Sequence, residues 1–117
     1  MSNNDKELLD FIVTTLEDKK AKDIKVLEVG DITLVADFFI VCSGTSTTHI
    51  KALADELDKK LEEEKGITLH HKEGYRTARW ILMDYSSFIV NIFHQEDRAI
   101  YNLEKIWENA KAVLDKK

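Results

Sequence analysis

Proline is absent from this chain of 117 residues, which also contains a single cysteine and only four glycines. One thiol, Cys42, cannot form a disulfide within the chain. No segment approaches the ~18 consecutive apolar residues that a membrane span requires. The opening residues MSNNDKELLDF also lack the apolar core of a signal peptide. These absences predict a cytoplasmic protein without a membrane partner.

Basic residues are also fewer than acidic ones. The chain has 17 lysines and arginines against 22 aspartates and glutamates, which gives a net charge of −5. A protein that reads nucleic acid neutralises many phosphates through a basic surface, so we expect no sequence-specific nucleic-acid partner. An acidic surface favours a basic protein partner instead, because opposite charges steer the encounter. The chain has the length of one domain, which we assign to residues 1–117.

Hydrophobic periodicity predicts an α/β fold of the α+β type, in the order helix, two strands, helix, three strands, helix, with a mixed five-stranded sheet. We expect the first helix to begin near a cap at Asn4 and the second to end at Gly66. The strands are predicted at residues 24–29, 38–42, 68–71, 80–85 and 88–93, with a tight hairpin at Ser86 and Ser87. The third helix is expected to carry an apolar stripe of Ile100, Leu103, Trp107, Ala110 and Leu114.

The fourth and fifth predicted strands are apolar on both faces. Alternation along a strand turns Trp80 and Leu82 to one face, and Ile81 and Met83 to the other. If three helices leave part of a five-stranded sheet uncovered, the result is an apolar patch of the kind that marks interaction sites. Two alternatives stay open: long side chains cover the remainder, or a homodimer buries the bare face.

The turn from Ser43 to Thr47, between a strand and a helix, is the segment most typical of an enzyme. Backbone N–H groups at the start of a helix bind phosphate, so a nucleotide-binding or nucleotidyltransferase-like enzyme is the alternative function. That chemistry requires metal ions held by carboxylates, and Asp84 is a single carboxylate at a strand end. The adjacent His70 and His71 point to opposite faces of a strand and do not share a metal. We therefore predict a protein without a cofactor, metal site or catalytic residue.

Several motifs follow one another along nearly the whole chain: ADFFIVCSGTS at 36–46, KEG at 72–74, WILMDY at 80–85, VNIF at 90–93, Arg98, YNLE at 101–104 and Trp107. In this order and spacing they resemble the ribosomal silencing factor (Iojap) family. The chain departs from the family pattern at Ser86 and Ser87, where Gly-Asp is usual, and at Asn91, where His is usual.

The resemblance implies a non-catalytic translational repressor. Members of the family bind the large ribosomal subunit through a basic ribosomal protein, the one numbered fourteen, at the surface where the small subunit lands. The bound factor blocks joining of the subunits by occupying space, especially when nutrients are limiting. The resemblance also implies a fold related to that of nucleotidyltransferases.

Aromatic and charged side chains around the fourth and fifth strands form the predicted binding surface, because such residues dominate protein–protein hot spots. Trp80 is expected to be the apolar anchor, Leu82 to extend the contact and Asp84 to face the basic partner. Further partner-binding residues are predicted at Tyr85, Phe93, Glu73, Arg98 and Tyr101. Because a helix dipole disfavours a cation near a helix start, Arg98 should have a specific acceptor, in the domain or on the partner.

Overall fold

A computed structural model describes residues 2–31, 34, 36–98 and 111–116 of the chain. Its elements are α1 (Asn3–Asp18), β1 (Lys22–Glu28), β2 (Phe38–Gly44), α2 (Thr47–Lys65), β3 (His71–Glu73), β4 (Trp80–Asp84), β5 (Phe88–His94) and β6 (Lys111–Lys116). The strands form one sheet in the order β3-β4-β5-β2-β1-β6. Since β2 and β5 pair in parallel and all other neighbours pair antiparallel, the sheet is mixed, as predicted.

The predicted third helix is wrong at its C-terminal end. Leu114, the last residue of its apolar stripe, belongs to strand β6, whose backbone pairs with β1. The rest of that stripe (Ile100, Leu103, Trp107 and Ala110) lies outside the described residues. The five predicted strands are all present, and β6 is the sixth. The described part of the chain thus has two helices, where we predicted three.

Capping side chains fix the ends of both helices. The cap of α1 is Ser2 rather than Asn4: the Ser2 hydroxyl accepts from the Asp5 N–H, and the Asp5 carboxylate accepts in return from the Ser2 N–H. This reciprocal pair satisfies two donors at the helix start. Ser46 is the N-cap residue of α2. The helix ends at Gly66, whose left-handed φ of 65° suits a residue without Cβ.

Both helices pack on one face of the sheet, which we call the helix face. Its core is formed by apolar residues of α1 and α2 against alternate residues of the strands, among them Ile24, Ile40, Cys42, Ile81, Met83, Phe88, Val90 and Ile92. On the opposite face, here the outer face, a smaller buried cluster comprises Leu27, Val29, Ala36, Phe39 and Ile89, with Leu82 packed against it. Strands β2 and β5 are buried along their whole length, which explains why both read as apolar runs.

The bare apolar patch predicted for the sheet is not found on the described residues. The large apolar side chain that is exposed among them is Leu34, which lies between β1 and β2. No described helix has the length and apolar content to cross a membrane.

Strand β3 lies further along the chain than predicted, at His71–Glu73 instead of residues 68–71. The predicted hairpin between β4 and β5 is confirmed. The Tyr85 N–H donates to the Phe88 carbonyl (3.0 Å), and Ser86 adopts a φ of 76°. The Asp84 carboxylate accepts from the Ser86 N–H at 2.8 Å and thus supports the turn.

Candidate functional site

Alternation along β4 places Trp80, Leu82 and Asp84 on the outer face, where each is partly exposed. The residues between them, Ile81 and Met83, are buried in the core under the helices. The prediction that Trp80 and Leu82 share a face is therefore confirmed.

Strand β3 extends this surface at the edge of the sheet. Cross-strand partners in an antiparallel pair share a face, and Glu73 pairs with Leu82 while His71 pairs with Asp84. The His71 Nε2 lies 3.3 Å from the Glu73 carboxylate, and both side chains are more than half exposed. We call the five residues His71, Glu73, Trp80, Leu82 and Asp84 the β3–β4 surface. His71 was not among the predicted site residues, because its position on this surface depends on where β3 begins, and the strand was predicted too early in the chain.

The indole of Trp80 is held by two buried residues of β5. Its ring stacks on Phe93, with centroids 4.8 Å apart and planes inclined by 27°. Its Nε1–H donates to the Asn91 side-chain carbonyl at 3.1 Å. Phe93 is only 1% exposed, so the prediction that it offers contact area to a partner is corrected. Its ring instead holds the Trp80 indole in place by stacking on it.

Asn91 is a second residue that sequence reasoning missed. It is 1% exposed, and its buried side-chain amide nitrogen has no hydrogen-bond partner among the described residues. A buried donor without a partner costs about 1–3 kcal/mol. In the sequence, the sign that could have pointed to Asn91 is its polar amide among the apolar residues of the strand.

Tyr85 does not lie on the β3–β4 surface. It is 4% exposed, stacks on Phe88 and donates its hydroxyl to the Asp58 carboxylate of α2 at 3.0 Å. Burial, together with the charge of Asp58, raises the pKa of Tyr85 well above its usual range. The prediction that Tyr85 presents contact area to a partner is thus corrected: its phenol ties the end of β4 to α2.

The loop that leads into Trp80 depends on one glycine. Gly74 has a φ of +80°, and a Cβ on it would lie 2.0 Å from the Trp80 carbonyl oxygen. Both the left-handed backbone and the close approach require a residue without a side chain. Gly74 therefore fixes the path of the chain between β3 and β4.

The same loop is joined to the segment after β5 by a bidentate ion pair. Arg79 donates from Nε and Nη2 to the two carboxylate oxygens of Asp97, at 2.7 and 2.9 Å. The hydrogen bonds raise the pKa of Arg79 and lower the pKa of Asp97. The His94 N–H also donates to the Arg79 carbonyl at 2.8 Å. Residue 79, immediately before Trp80, is thus fixed by backbone and side chain together.

Arg98 has its specific acceptors within the domain. Its guanidinium donates to the Ser43 hydroxyl at 3.0 Å and to the Asp23 carbonyl. These contacts join the end of β2 and the start of β1 to the segment after β5. Tyr101, the last predicted site residue, lies outside the described residues.

At the predicted phosphate-binding turn, two backbone N–H groups donate to side chains of the chain itself. The Thr45 N–H donates to the His49 ring Nδ1 at 2.9 Å, and the His49 N–H donates to the Ser46 hydroxyl at 3.0 Å. Before this turn, Cys42 is fully buried, and desolvation raises its pKa to about 12. The thiol is therefore a core group and carries no nucleophilic charge at neutral pH.

The sequence profile of the family described as "Ribosomal silencing factor during starvation" matches residues 2–117. The chain belongs to this family. The resemblance inferred from the motifs is thus confirmed, and with it the connection to ribosomes and to the regulation of translation.

Individual members of the silencing factor family agree with this assignment. "Ribosomal silencing factor RsfS" of Halalkalibacterium halodurans is 45% identical over 113 residues, which are 97% of this chain and 94% of that protein. A crystal structure of a Bacillus halodurans protein is 42% identical, covers 93% of this chain and 98% of that one, and superposes with a TM-score of 0.79. The Mus musculus "Mitochondrial assembly of ribosomal large subunit protein 1" is 32% identical over 85% of this chain, which spans 44% of the mouse protein.

Proposed function

We propose that this protein binds the large ribosomal subunit in the cytoplasm and prevents the small subunit from joining it. The proposed contact is the large-subunit protein numbered fourteen, and the proposed binding surface is the β3–β4 surface. Repression by this route is not catalytic. It requires affinity, bulk and the correct orientation on the joining face of the subunit.

The row of Trp80, Leu82 and Asp84 is the observation that carries this proposal. A partly exposed tryptophan that buried neighbours hold in place has the character of a hot-spot anchor. The carboxylates of Glu73 and Asp84 on the same surface suit a basic partner. The name of the mouse relative, which refers to assembly of the large ribosomal subunit, supports the choice of subunit.

We leave the turn at 43–47 out of the proposed function. A phosphate bound through the Thr45 and His49 N–H groups would have to displace the hydrogen bonds that both groups already make within the chain. No contact in the turn favours nucleotide chemistry over this internal capping. A homodimer that buries the β3–β4 surface would compete with ribosome binding, and gel filtration of the wild-type chain over a concentration series tests for it.

Co-sedimentation with purified large subunits, followed by a subunit-joining assay, tests the proposal. Wild-type protein is expected to pellet with large subunits, not with small ones, and to reduce joining. Trp80→Ala should weaken binding by about 2–4 kcal/mol, the cost of truncating a central hot spot. Leu34→Ala removes an exposed apolar side chain elsewhere and is the matched control.

Folding has to be measured beside binding, because truncation of Trp80 uncovers Phe93. If Trp80→Ala unfolds, Leu82→Lys provides the second test, since it adds a like charge to the face that meets a basic partner. Wild-type protein that stays in the supernatant at physiological salt would contradict the proposed function. Folded variants that still bind normally would contradict the choice of surface.

A further inference from the structure

Two lysine ammonium groups lie over the ring of Tyr75, in the β3–β4 loop, and an exposed arginine follows this tyrosine in the sequence. The Lys72 ammonium lies 4.2 Å from the centroid of the Tyr75 ring, and the Lys51 ammonium of α2 lies 5.5 Å from it. Arg76 follows Tyr75 in the loop and is exposed. None of the three cations forms an ion pair with a residue in the described part of the chain. We call Lys51, Lys72 and Arg76 the basic cluster.

The Tyr75 ring is held in place by two contacts. Tyr75 packs against the core under the helices, and its hydroxyl donates to the Asp55 carboxylate at 2.9 Å. A ring held in this way keeps the two ammonium groups together in spite of their mutual repulsion, because each is attracted to the π face. Asp55 brings one negative charge to the cluster, against three positive ones.

Alternation along β3 separates this cluster from the acidic surface. Lys72 pairs with Met83, which belongs to the core of the helix face, so Lys72 lies on that face. Its neighbours His71 and Glu73 lie on the outer face beside Asp84 and Leu82. The edge of the sheet therefore carries positive charge on one face and negative charge on the other, within a chain whose net charge is −5.

We infer that the basic cluster contacts the phosphate backbone of ribosomal RNA while the β3–β4 surface contacts a ribosomal protein. This inference rests on the proposed function. Three cations that form no ion pair with any described residue can bind a polyanion through charge. The large subunit offers RNA phosphates beside its basic proteins. Such a contact needs no base readout, since phosphate contacts position a protein without reading sequence. An acidic protein segment is the competing occupant.

The salt dependence of binding is the direct test, because each phosphate contact changes the slope of log affinity against log salt by slightly less than one. We compare wild-type protein with the triple variant Lys51→Gln, Lys72→Gln, Arg76→Gln, by co-sedimentation with large subunits over a range of KCl concentrations at fixed Mg²⁺. The matched control is Lys6→Gln, Lys20→Gln, Lys59→Gln. It makes the same change of charge at three exposed positions away from the cluster. A second arm uses protein-free RNA extracted from the same subunits.

The cluster variant is expected to bind large subunits at least about tenfold more weakly at 0.1 M salt, with a salt slope that is smaller by about 2. It should lose affinity for the protein-free RNA as well, whereas the control variant should match wild type in both arms. Equal subunit binding by wild type and cluster variant would overturn the inference and leave the proposed function intact. Weaker subunit binding with unchanged RNA binding would assign the cluster to an acidic protein segment and also overturn it. If wild-type protein binds no large subunits, the proposed function and the inference both fail.

Discussion

The orientation of Trp80 depends on two buried neighbours rather than on the tryptophan itself. Phe93 supports the ring and Asn91 accepts its N–H, so the indole is already ordered before a partner arrives. An anchor that is held in place loses less side-chain entropy on binding, which favours affinity. The cost is the buried amide nitrogen of Asn91, for which the described part of the chain provides no hydrogen-bond partner.

Asn91→Leu tests this arrangement at the residue scale. The variant removes the acceptor of the Trp80 N–H and also the unpartnered amide, so the free energy of unfolding should change by less than about 1.5 kcal/mol. A double-mutant cycle with Trp80→Phe isolates the hydrogen bond, and we expect a coupling energy of about 0.5–1.5 kcal/mol. Urea unfolding measures the stability of all four proteins of the cycle. ¹⁵N relaxation of the indole N–H should report a more mobile Trp80 in Asn91→Leu, and an unchanged order parameter would refute the orienting role.

At the scale of elements, local patterns predicted most of the structure and failed where a distant partner decides. The apolar runs of β2 and β5 are visible in the sequence because both faces of each strand are buried. The segment at 111–116 is a strand because its backbone pairs with β1, near the other end of the chain. Strand preference depends on such a partner, so spacing alone placed Leu114 on a helix.

The candidate site also combines features that the local sequence pattern predicted with features that depend on distant residues and were not predicted. The common face of Trp80 and Leu82 follows from the period of a strand and was predicted, and in the structure Asp84 continues that face. The burial of Phe93 and Tyr85 was not, because a side chain's exposure depends on what packs over it. His71 was missed because the end of β3 is set by its pairing with β4, and not by its own residues.

Ser86→Gly tests the hairpin between β4 and β5. Ser86 has a left-handed φ of 76°, which costs an L-residue about 1 kcal/mol and costs glycine almost nothing. The substitution should therefore raise the free energy of unfolding by about 0.5–1 kcal/mol, measured by urea titration. Ser87→Gly is the matched control: Ser87 has no left-handed φ to relieve, so the added freedom of the unfolded chain should lower stability. If both variants are destabilised alike, the backbone of the turn is not strained.

At the scale of the whole molecule, the distribution of charge matters more than its sum. A net charge of −5 gave no reason to expect RNA phosphate as a partner, because composition averages over faces. The alternation of three residues in β3 is enough to give opposite signs to the two faces of the sheet edge. A large partner made of both RNA and basic protein suits such a distribution.

Asp84 tests the electrostatic part of the proposed docking. Asp84→Asn removes the charge but keeps an oxygen for the Ser86 N–H, whereas Asp84→Lys reverses the charge. Stopped-flow association with large subunits should become slower in both variants, with the larger effect in Asp84→Lys, because steering by opposite charges accelerates encounter. The differences should disappear toward ~1 M salt, where the screening length falls to about 3 Å. Asp10→Lys on α1 is the control for net charge, and an equal effect of this variant would argue against a local role of Asp84.

The pairing of β1 with β6 has a consequence for how the protein folds while it is being synthesised. Strand β1 lies between β2 and β6, and Ile24 pairs with Lys116 near the end of the chain. During synthesis, β2 and β5 can pair as soon as they emerge, but one edge of β1 stays open until residues 111–116 have emerged as well. An open edge is a template for pairing with other chains, and contacts so distant along the chain form slowly. A nascent chain of this protein thus completes its sheet only once β6 has been synthesised, long after β1.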